Sequence, residues 1–163
     1  MDIFKEQIIK IRQTPKDMAL KLLIWAAAAM ALAFVIMYMQ LFIPIGAIGI
    51  FWGALFLSRK LNIEYEYILT NGDLDIDKIT AKRDRRRILA LKCADIEKIG
   101  KYKGEELHGK KFVCCNPGDN AYYIIAREKD EGVVCLVFAP DERMKEAIKK
   151  FVPRIIQRDA FSE

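Results

Sequence analysis

Residues 22–57 read LLIWAAAAMALAFVIMYMQLFIPIGAIGIFWGALFL and contain no charged side chain. Tyr38 and Gln40 are the polar interruptions, and Lys21 and Arg59 flank the stretch. As one helix the stretch would be about 54 Å long at ~1.5 Å per residue. The hydrocarbon core of a bilayer is only about 30 Å thick and is spanned by about 20 residues. The stretch is therefore too long for one span and long enough for two.

Pro44 indicates where the two spans separate. Proline disrupts a helix interior because it lacks an N–H group, but it is tolerated in the first turn of a helix. We therefore predict a first helix over about residues 18–38, a tight turn over 39–43 and a second helix over about 44–58. Together they form a transmembrane helical hairpin within residues 18–60.

The flanking charges predict how this hairpin is oriented. Several Lys and Arg residues precede the first span, Arg59 and Lys60 follow the second, and the turn carries no charge. Because excess Lys and Arg stay on the cytoplasmic side, we expect a two-span protein with both termini in the cytosol. Residues 1–17 would form a cytosolic N-terminal segment and residues 61–163 a cytosolic domain. A cleaved signal peptide is the alternative, but its apolar core would be shorter and no second span should follow at once.

Three glycines in the second span predict close helix packing. Gly46, Gly49 and Gly53 are small residues on one helix, and the last two form a G-x-x-x-G pair that lets backbones approach. The partner is either the first span, within the hairpin, or a second copy in a homodimer. Neither span contains an Asp, Glu, Lys, Arg or His in its interior, which argues against a channel or transporter.

The net charge of +5 is modest and divides as +2 in residues 1–21 and +3 in residues 58–163. This balance suits the surface of an anionic leaflet better than it suits nucleic acid. We therefore expect membrane lipid as a partner and no nucleic acid.

Four cysteines, Cys93, Cys114, Cys115 and Cys135, fall in the part assigned to the cytosol, where thiols usually stay reduced. A zinc site would want C-x-x-C pairs with further ligands, whereas two of these cysteines are adjacent and His108 is the only histidine. We predict buried structural thiols, with no disulfide, no metal and no cofactor.

After Lys60 the pattern becomes that of β-strands. Residues 64–70 and 73–77 alternate around Asn71-Gly72, a strong hairpin signal. Further strands are predicted at 86–92, 96–102, 111–115, 122–127 and 133–138, with a charged hairpin loop over 128–132. Apolar residues at helical spacing predict a closing amphipathic helix over residues 141–152. The predicted fold class is an α+β membrane protein with a strongly bent antiparallel sheet or split barrel.

This sequence resembles known bacterial proteins in two respects, the second of which covers nearly the whole chain. The run Tyr67–Ile76, followed by Arg85–Leu91 and Ile96, resembles the opening strands of bacterial pleckstrin-homology-like (PH-like) domains attached to membrane spans. The wider arrangement, including Glu64–Tyr67 and Phe138–Glu142, is similar to a family of small uncharacterised two-span membrane proteins of clostridial or Firmicutes type. The resemblance implies a PH-like split barrel and a bacterial plasma membrane, and it implies no reaction.

The densest basic cluster is the candidate site for a lipid or a protein partner. It lies at the expected tip between the second and third predicted strands and comprises Lys82, Arg83, Arg85, Arg86 and Arg87. Each cation near an anionic leaflet contributes on the order of 1 kcal/mol. The alternative is a solvated hairpin tip, and no aromatic platform for nucleic acid accompanies the cluster.

Other candidate sites have simpler explanations. Asp73, Asp75 and Asp77 imitate the start of an EF-hand loop, but Lys78 stands where that loop needs glycine. Strand alternation explains the three acids, with Leu74 and Ile76 facing inward. His108 lies in a loop-like segment over residues 104–110, and no nucleophile elbow, phosphate loop or zinc helix is present. We therefore predict no catalytic residues and no enzyme.

These observations predict a membrane-anchored PH-like module that binds a protein partner or anionic lipid headgroups at the cytosolic membrane face. The alternative is an accessory subunit of a larger membrane complex, assembled through its transmembrane helices and their glycines.

Overall fold

The computed structural model describes residues 3–104, 108–128, 132–157 and 161 of the chain. Residues 105–107 and 129–131, which belong to two predicted loops, lie outside the described residues. The chain folds as two compact units. We call residues 12–63 and 80–84 the hairpin unit, and we call residues 3–11, 64–79 and the described residues from 85 onward the sheet domain.

Two apolar helices, joined by a short 3-10 turn at Gln40–Phe42, form most of the hairpin unit: α1 (Pro15–Tyr38) and α2 (Ile43–Lys60). Thr14 caps α1 because its hydroxyl accepts a hydrogen bond from the Asp17 N–H, and the Asp17 carboxylate accepts one from the Thr14 N–H. This reciprocal cap starts α1 three residues before the predicted start at residue 18. Both helices are long and apolar enough to cross a bilayer, and their side chains are almost entirely unburied.

The sheet domain contains eight strands in two four-stranded sheets. The first sheet has the order β1 (Phe4–Lys10), β2 (Ile63–Thr70), β3 (Asp73–Thr80), β4 (Asp84–Lys92). The second has the order β5 (Ile96–Lys101), β7 (Tyr122–Glu128), β8 (Gly132–Phe138), β6 (Lys110–Val113), in which β6 pairs with β8 in parallel. The predicted β-strand segments from residue 64 to residue 138 are all present, with ends that differ by a few residues.

One strand of the first sheet differs from the sequence prediction. Residues 4–10 were expected to belong to a separate cytosolic segment, yet β1 pairs antiparallel with β2 over its whole length, from Phe4 opposite Thr70 to Lys10 opposite Glu64. Its partner lies beyond both helices in the sequence, so no local turn signal marks the pairing. The sheet domain therefore includes chain from both sides of the helical hairpin.

The core of the sheet domain lies between the two sheets. Tyr67, Leu74 and Ile76 from the first sheet and Ile124, Leu136 and Phe138 from the second belong to one buried apolar cluster. The buried Tyr67 hydroxyl donates to the Cys114 carbonyl and accepts a hydrogen bond from the Ala139 N–H at 3.4 Å. This side chain thus ties β2 to the second sheet through polar groups that would otherwise be buried without partners.

Two short helices follow the strands: α3 (Glu142–Lys149) and α4 (Arg154–Gln157). The Asp141 carboxylate caps α3 by accepting a hydrogen bond from the Met144 N–H at 2.7 Å. The apolar stripe of α3, formed by Met144, Ala147 and Ile148, lies in the same core cluster. The helix ends at Lys149, before the predicted end at residue 152, although Val152 is still buried.

The prediction of buried thiols is confirmed, because all four cysteines are buried and free. Burial raises the pKa of Cys93 and of Cys114 to about 12, and it raises the pKa of Cys115 to about 11. All four belong to the sheet domain, so they report on its folding.

We expect the native thiols to resist modification, because thiols rather than thiolates dominate at neutral pH and reagent cannot reach them. Labelling of the detergent-solubilised full chain with a thiol reagent at pH 8 should be at least ~100 times slower than labelling in denaturant. Fast labelling of any cysteine in the native protein would contradict the packing described above.

Candidate cationic surface

The five predicted basic residues are divided between the two units. Lys82 and Arg83 belong to the hairpin unit, in the turn between β3 and β4, whereas Arg85, Arg86 and Arg87 lie on β4 in the sheet domain. All five are exposed to some extent. Their electrostatic surroundings decide which of them remain available to an anion.

Arg85 is engaged by a buried carboxylate of the first sheet. Its guanidinium contacts both oxygens of Glu66, with Nη2 at 3.0 Å from Oε1 and Nη1 at 2.9 Å from Oε2. The Glu66 side chain is fully buried while that of Arg85 is 53% exposed. Only the Nη2–Oε1 contact is a hydrogen bond, and Glu66 Oε2 is buried without a hydrogen-bond partner among the described residues. Arg85 still lies against this carboxylate as its counter-charge, so it is less available to an external anion.

Arg87 is engaged in the same way by two aspartates of β3. Its Nη2 lies 2.9 Å from Asp75 Oδ2 and its Nε lies 3.3 Å from Asp77 Oδ1. The sequence prediction that Leu74 and Ile76 face the core is confirmed, since both are fully buried. The side chains of Asp75 and Asp77 are 21% and 8% exposed, less than strand alternation alone suggests, and Arg87 contacts both.

The face of β4 changes partway along the strand. Regular alternation would place Arg87 and Leu89 on the same face of the strand. Leu89 is buried in the core, however, whereas Arg87 is exposed and binds Asp75. The consecutive residues Ile88 and Leu89 both contact the core cluster. One strand therefore supplies both ion-pairing arginines and core leucines.

Several groups influence the pKa of Glu66. Burial raises its pKa, a hydrogen bond with the Glu6 side chain raises it further, and the Arg85 charge partly offsets both effects. Burial also raises the pKa of Asp75, with Arg87 acting in the opposite direction.

Two neighbouring arginines should differ sharply in their effect on stability. Arg85→Ala leaves Glu66 buried without its counter-charge and should lower the free energy of unfolding by about 1 to 3 kcal/mol. The matched control, Arg86→Ala, removes an exposed side chain and should change it by less than about 0.5 kcal/mol. Thiol labelling of the full chain across a denaturant series measures both, and equal losses would contradict the pairing.

The raised pKa of Glu66 also predicts a pH dependence. The folded protein holds this proton to higher pH than the unfolded chain does, so stability from this group is present at low pH and is lost as pH rises through the raised pKa. Glu66→Gln should therefore lose less stability than the parent chain as the pH rises from about 4.3, the usual pKa of a glutamate, through the raised pKa of Glu66. Unfolding curves at a series of pH values test this, and identical slopes for the two proteins would contradict it.

Lys82 and Arg83 lie in a turn with an unusual backbone. Ala81 and Lys82 have φ of 55° and 59°, and the Arg83 N–H donates to the Thr80 carbonyl at 3.1 Å. Left-handed backbone at both central positions of a hairpin turn normally selects Asn and Gly, so this turn is strained. The Ala81 N–H donates to the Asn62 carbonyl at 3.0 Å and so fixes the turn beside the end of α2.

Asn62 is the junction of the hairpin unit. Its side-chain oxygen accepts hydrogen bonds from Gln13 Nε2 at 2.9 Å and from Lys21 Nζ at 3.0 Å. Its backbone carbonyl accepts from the Ala81 N–H. One residue thus connects the start of α1, the end of α2 and the turn that carries Lys82 and Arg83.

A cleft of about 450 Å³ lies in the hairpin unit beside this turn. We call it the α2 cleft; its lining consists of one apolar face of α2 with Arg59 and Lys60, together with residues of the turn: Trp52, Leu55, Phe56, Arg59, Lys60, Ala81, Arg83 and Asp84. A smaller neighbouring concavity adds Asn62 and Lys82. The described structure therefore gathers four cations, Arg59, Lys60, Lys82 and Arg83, around one end of α2.

Sequence analysis did not identify this site. It treated Arg59 and Lys60 as topology signals and grouped Lys82 and Arg83 with the arginines of β4. The available signal was the helical spacing of residues 52, 55, 56, 59 and 60, which places aromatic and cationic residues on one face of α2. The contribution of the turn could not be found in this way, because it depends on the bond to Asn62.

The three glycines of α2 have different surroundings. A Cβ atom at Gly46 would lie 3.0 Å from Val35 Cγ1, so this glycine permits close approach of α1. At Gly49 and Gly53 no such neighbour lies within 4 Å in the described part of the chain. Contact within the hairpin accounts for Gly46, and the faces of Gly49 and Gly53 are open.

The remaining candidate residues do not assemble into a reactive centre. His108 is exposed, and the cysteines lie in the core. Across residues 3–104, 108–128 and 132–157, no group of three or more His, Cys, Asp or Glu side chains could hold a metal ion.

Comparison with known proteins gives one informative result. The family model described as "Bacterial PH-like domain (DUF6106)" matches residues 1–158. No curated protein and no solved structure gives a significant match. The match covers both apolar helices and the eight strands of the sheet domain, including β1.

Proposed function

Because this chain belongs to the bacterial PH-like domain family DUF6106, we propose that it is a membrane-anchored module that binds anionic lipid headgroups at the cytosolic face of the bacterial plasma membrane. Its role in this proposal is binding rather than catalysis. The observation that carries the proposal is the group of four cations at the end of α2, next to an apolar helix surface.

Membrane insertion of α1 and α2 is supported by the surfaces of these helices. Both pass the length and hydropathy criteria for a span, and their large side chains are mostly exposed: Leu22 is 73%, Met30 is 70% and Ile45 is 74% exposed. A buried core helix of a soluble protein would show the opposite. Water is a poor solvent for so much apolar surface, whereas lipid is a good one.

The proposed topology, with both termini in the cytosol, is supported by strand pairing. β1 precedes α1 and β2 follows α2, and Lys10 lies opposite Glu64 at the end of their ladder. The two ends of the helical hairpin therefore start from one place, which is compatible with two antiparallel spans that enter and leave on the same side. The positive flanks of both spans favour the cytosolic side.

The four cations suit an anionic leaflet in position as well as in sign. Arg59 and Lys60 are in the last turn of α2, which in an inserted hairpin lies at the headgroup level. Lys82 and Arg83 are held beside them by the hydrogen bond between Ala81 and Asn62. Arg85 and Arg87, in contrast, form ion pairs with carboxylates of the first sheet: Glu66, Asp75 and Asp77.

Anionic lipid should therefore be retained selectively by the full chain. Protein in mixed micelles of phosphatidylglycerol and phosphatidylcholine with identical acyl chains is separated from excess lipid, and the retained lipid is quantified by mass spectrometry. We expect enrichment of phosphatidylglycerol over the input ratio, falling at high salt. Changing Arg59, Lys60, Lys82 and Arg83 to Gln should reduce the enrichment at least ~10-fold.

A matched variant controls for the loss of four charges. It changes four exposed cations of the sheet domain to Gln: Arg86, Lys92, Arg143 and Lys150. This variant should retain most of the enrichment. Equal enrichment in all three proteins, or equal loss in both variants, would count against the proposed lipid surface and favour a protein partner.

A second candidate function follows from the open faces of Gly49 and Gly53. In this alternative the chain is an accessory subunit, and these glycines of α2 pack against another span of a larger membrane complex or of a second copy. The supporting observation is that α1 contacts Gly46 but leaves the other two glycines uncovered.

Leucine substitutions separate the two contacts. Gly46→Leu collides with Val35 and should destabilise the hairpin itself. Gly49→Leu with Gly53→Leu should leave the monomer folded, since there is room for both side chains, but should abolish association if the subunit role is right. Crosslinking in intact cells measures association, and unchanged crosslinks in the double variant would reject this alternative.

A further inference from the structure

We propose that the α2 cleft binds one acidic phospholipid molecule. In this arrangement the lipid phosphate lies at Arg59, Lys60 and Arg83, and one acyl chain runs along α2 over Phe56 and Trp52. The inference rests on the proposed function, because it requires α2 to lie in a bilayer. It goes further by assigning a discrete site with a stoichiometry and a headgroup preference.

The apolar wall of the cleft continues into the exposed surface of α2. Trp52 is 65% and Phe56 is 60% exposed. Ile48 and Ile45 precede Trp52 at helical spacing and are 62% and 74% exposed. Residues 45, 48, 52 and 56 therefore form a stripe that ends in the cleft, and an acyl chain along this stripe would lead its headgroup to the cations.

The positive charge is located where the apolar wall ends. Lys60 Nζ lies 4.6 Å from the centre of the Phe56 ring, a cation–π contact that holds the ammonium group over the wall. Arg59 belongs to the same turn of α2. An amphipathic anion meets both of its requirements at this point, since the apolar surface and the counter-charges are adjacent.

Helix electrostatics alone does not explain this arrangement. Cations in the last turn of a helix stabilise its negative end, which accounts for Arg59 and Lys60. Arg83, however, comes from the β3–β4 turn and reaches the cleft through a strained backbone at Ala81 and Lys82. Strained backbone is typical of ligand-binding sites, where the surrounding structure maintains it.

The single carboxylate of the cleft indicates which headgroup it prefers. Asp84 lines the cleft together with the three cations. A phosphodiester carries one negative charge, which three cations can bind while Asp84 accepts a hydrogen bond from a headgroup hydroxyl. The cleft therefore suits a hydroxyl-bearing acidic phospholipid such as one with a glycerol headgroup. Its volume of about 450 Å³ is within the usual range of ligand sites and accommodates a headgroup with the start of one chain.

Tryptophan quenching tests this site directly. In the full chain with Trp25→Phe, Trp52 is the only tryptophan. The protein is reconstituted in phosphatidylcholine vesicles that contain one fifth phosphatidylglycerol. In one preparation the acyl chains of the phosphatidylglycerol are brominated; in the other, those of an equal amount of phosphatidylcholine are brominated. We expect brominated phosphatidylglycerol to quench Trp52 at least twice as strongly as brominated phosphatidylcholine. Arg83→Gln should remove that difference.

The reciprocal protein provides the matched control. With Trp52→Phe the remaining tryptophan is Trp25, which packs on Phe51 with ring centres 5.9 Å apart and does not line the cleft. Both brominated lipids should quench it equally. Slow labelling of the four buried thiols verifies that the sheet domain of each variant is folded, and Lys60→Gln serves in place of Arg83→Gln if that variant is not.

The outcomes separate this inference from the proposed function. Selective retention of phosphatidylglycerol together with equal quenching of Trp52 by both lipids would overturn the cleft while leaving general attraction to the leaflet. Loss of both effects would overturn both proposals. Removal of the quenching difference by glycerol phosphate, at a concentration equal to that of the lipid, would assign the site to a soluble phosphate and overturn the acyl-chain contact.

Discussion

The pairing of β1 with β2 is the constraint on which this architecture depends. These strands lie on opposite sides of the helical hairpin in sequence, so their ladder can form only when residues 11–62 return to their starting point. Closing so long a loop has a conformational entropy cost. Two helices that pack antiparallel offset this cost, because they bring the start of α1 and the end of α2 together. Asn62 reinforces the junction by accepting hydrogen bonds from residues near the start of α1. The helical hairpin and the first sheet therefore depend on each other.

Electrostatics then divides a single basic run into two parts with different surroundings. Arg85 and Arg87 form ion pairs with carboxylates of β2 and β3 on the first sheet, and a buried charge such as that of Glu66 would be costly without a counter-charge. Lys82 and Arg83 lie in the β3–β4 turn, which a hydrogen bond from the Ala81 N–H to the Asn62 carbonyl ties to the end of α2. Residues that are adjacent in the chain thus differ in role because their neighbours in space differ.

Much of the fold was predictable because its signals are local. The apolar run and Pro44 predict two helices, Asn71-Gly72 predicts the β2–β3 hairpin, and the spacing of Met144, Ala147 and Ile148 predicts α3. β1 was missed since its partner is distant in sequence. The ion pairs of Arg85 and Arg87 were missed as well, because their carboxylate partners lie on other strands.

The sequence by itself determined the apolar helices, the strand segments after residue 60 and the thiol-rich interior, since hydropathy and turn chemistry act between near neighbours. Tertiary structure alone decided which cations are neutralised and which surround the α2 cleft. The physical reason is that the deciding contacts come from residues distant in sequence. Glu66 of β2 supplies the counter-charge of Arg85, and Asn62 accepts the hydrogen bond that positions the turn at Ala81. Those contacts exist only once the strands are in register and the hairpin is closed.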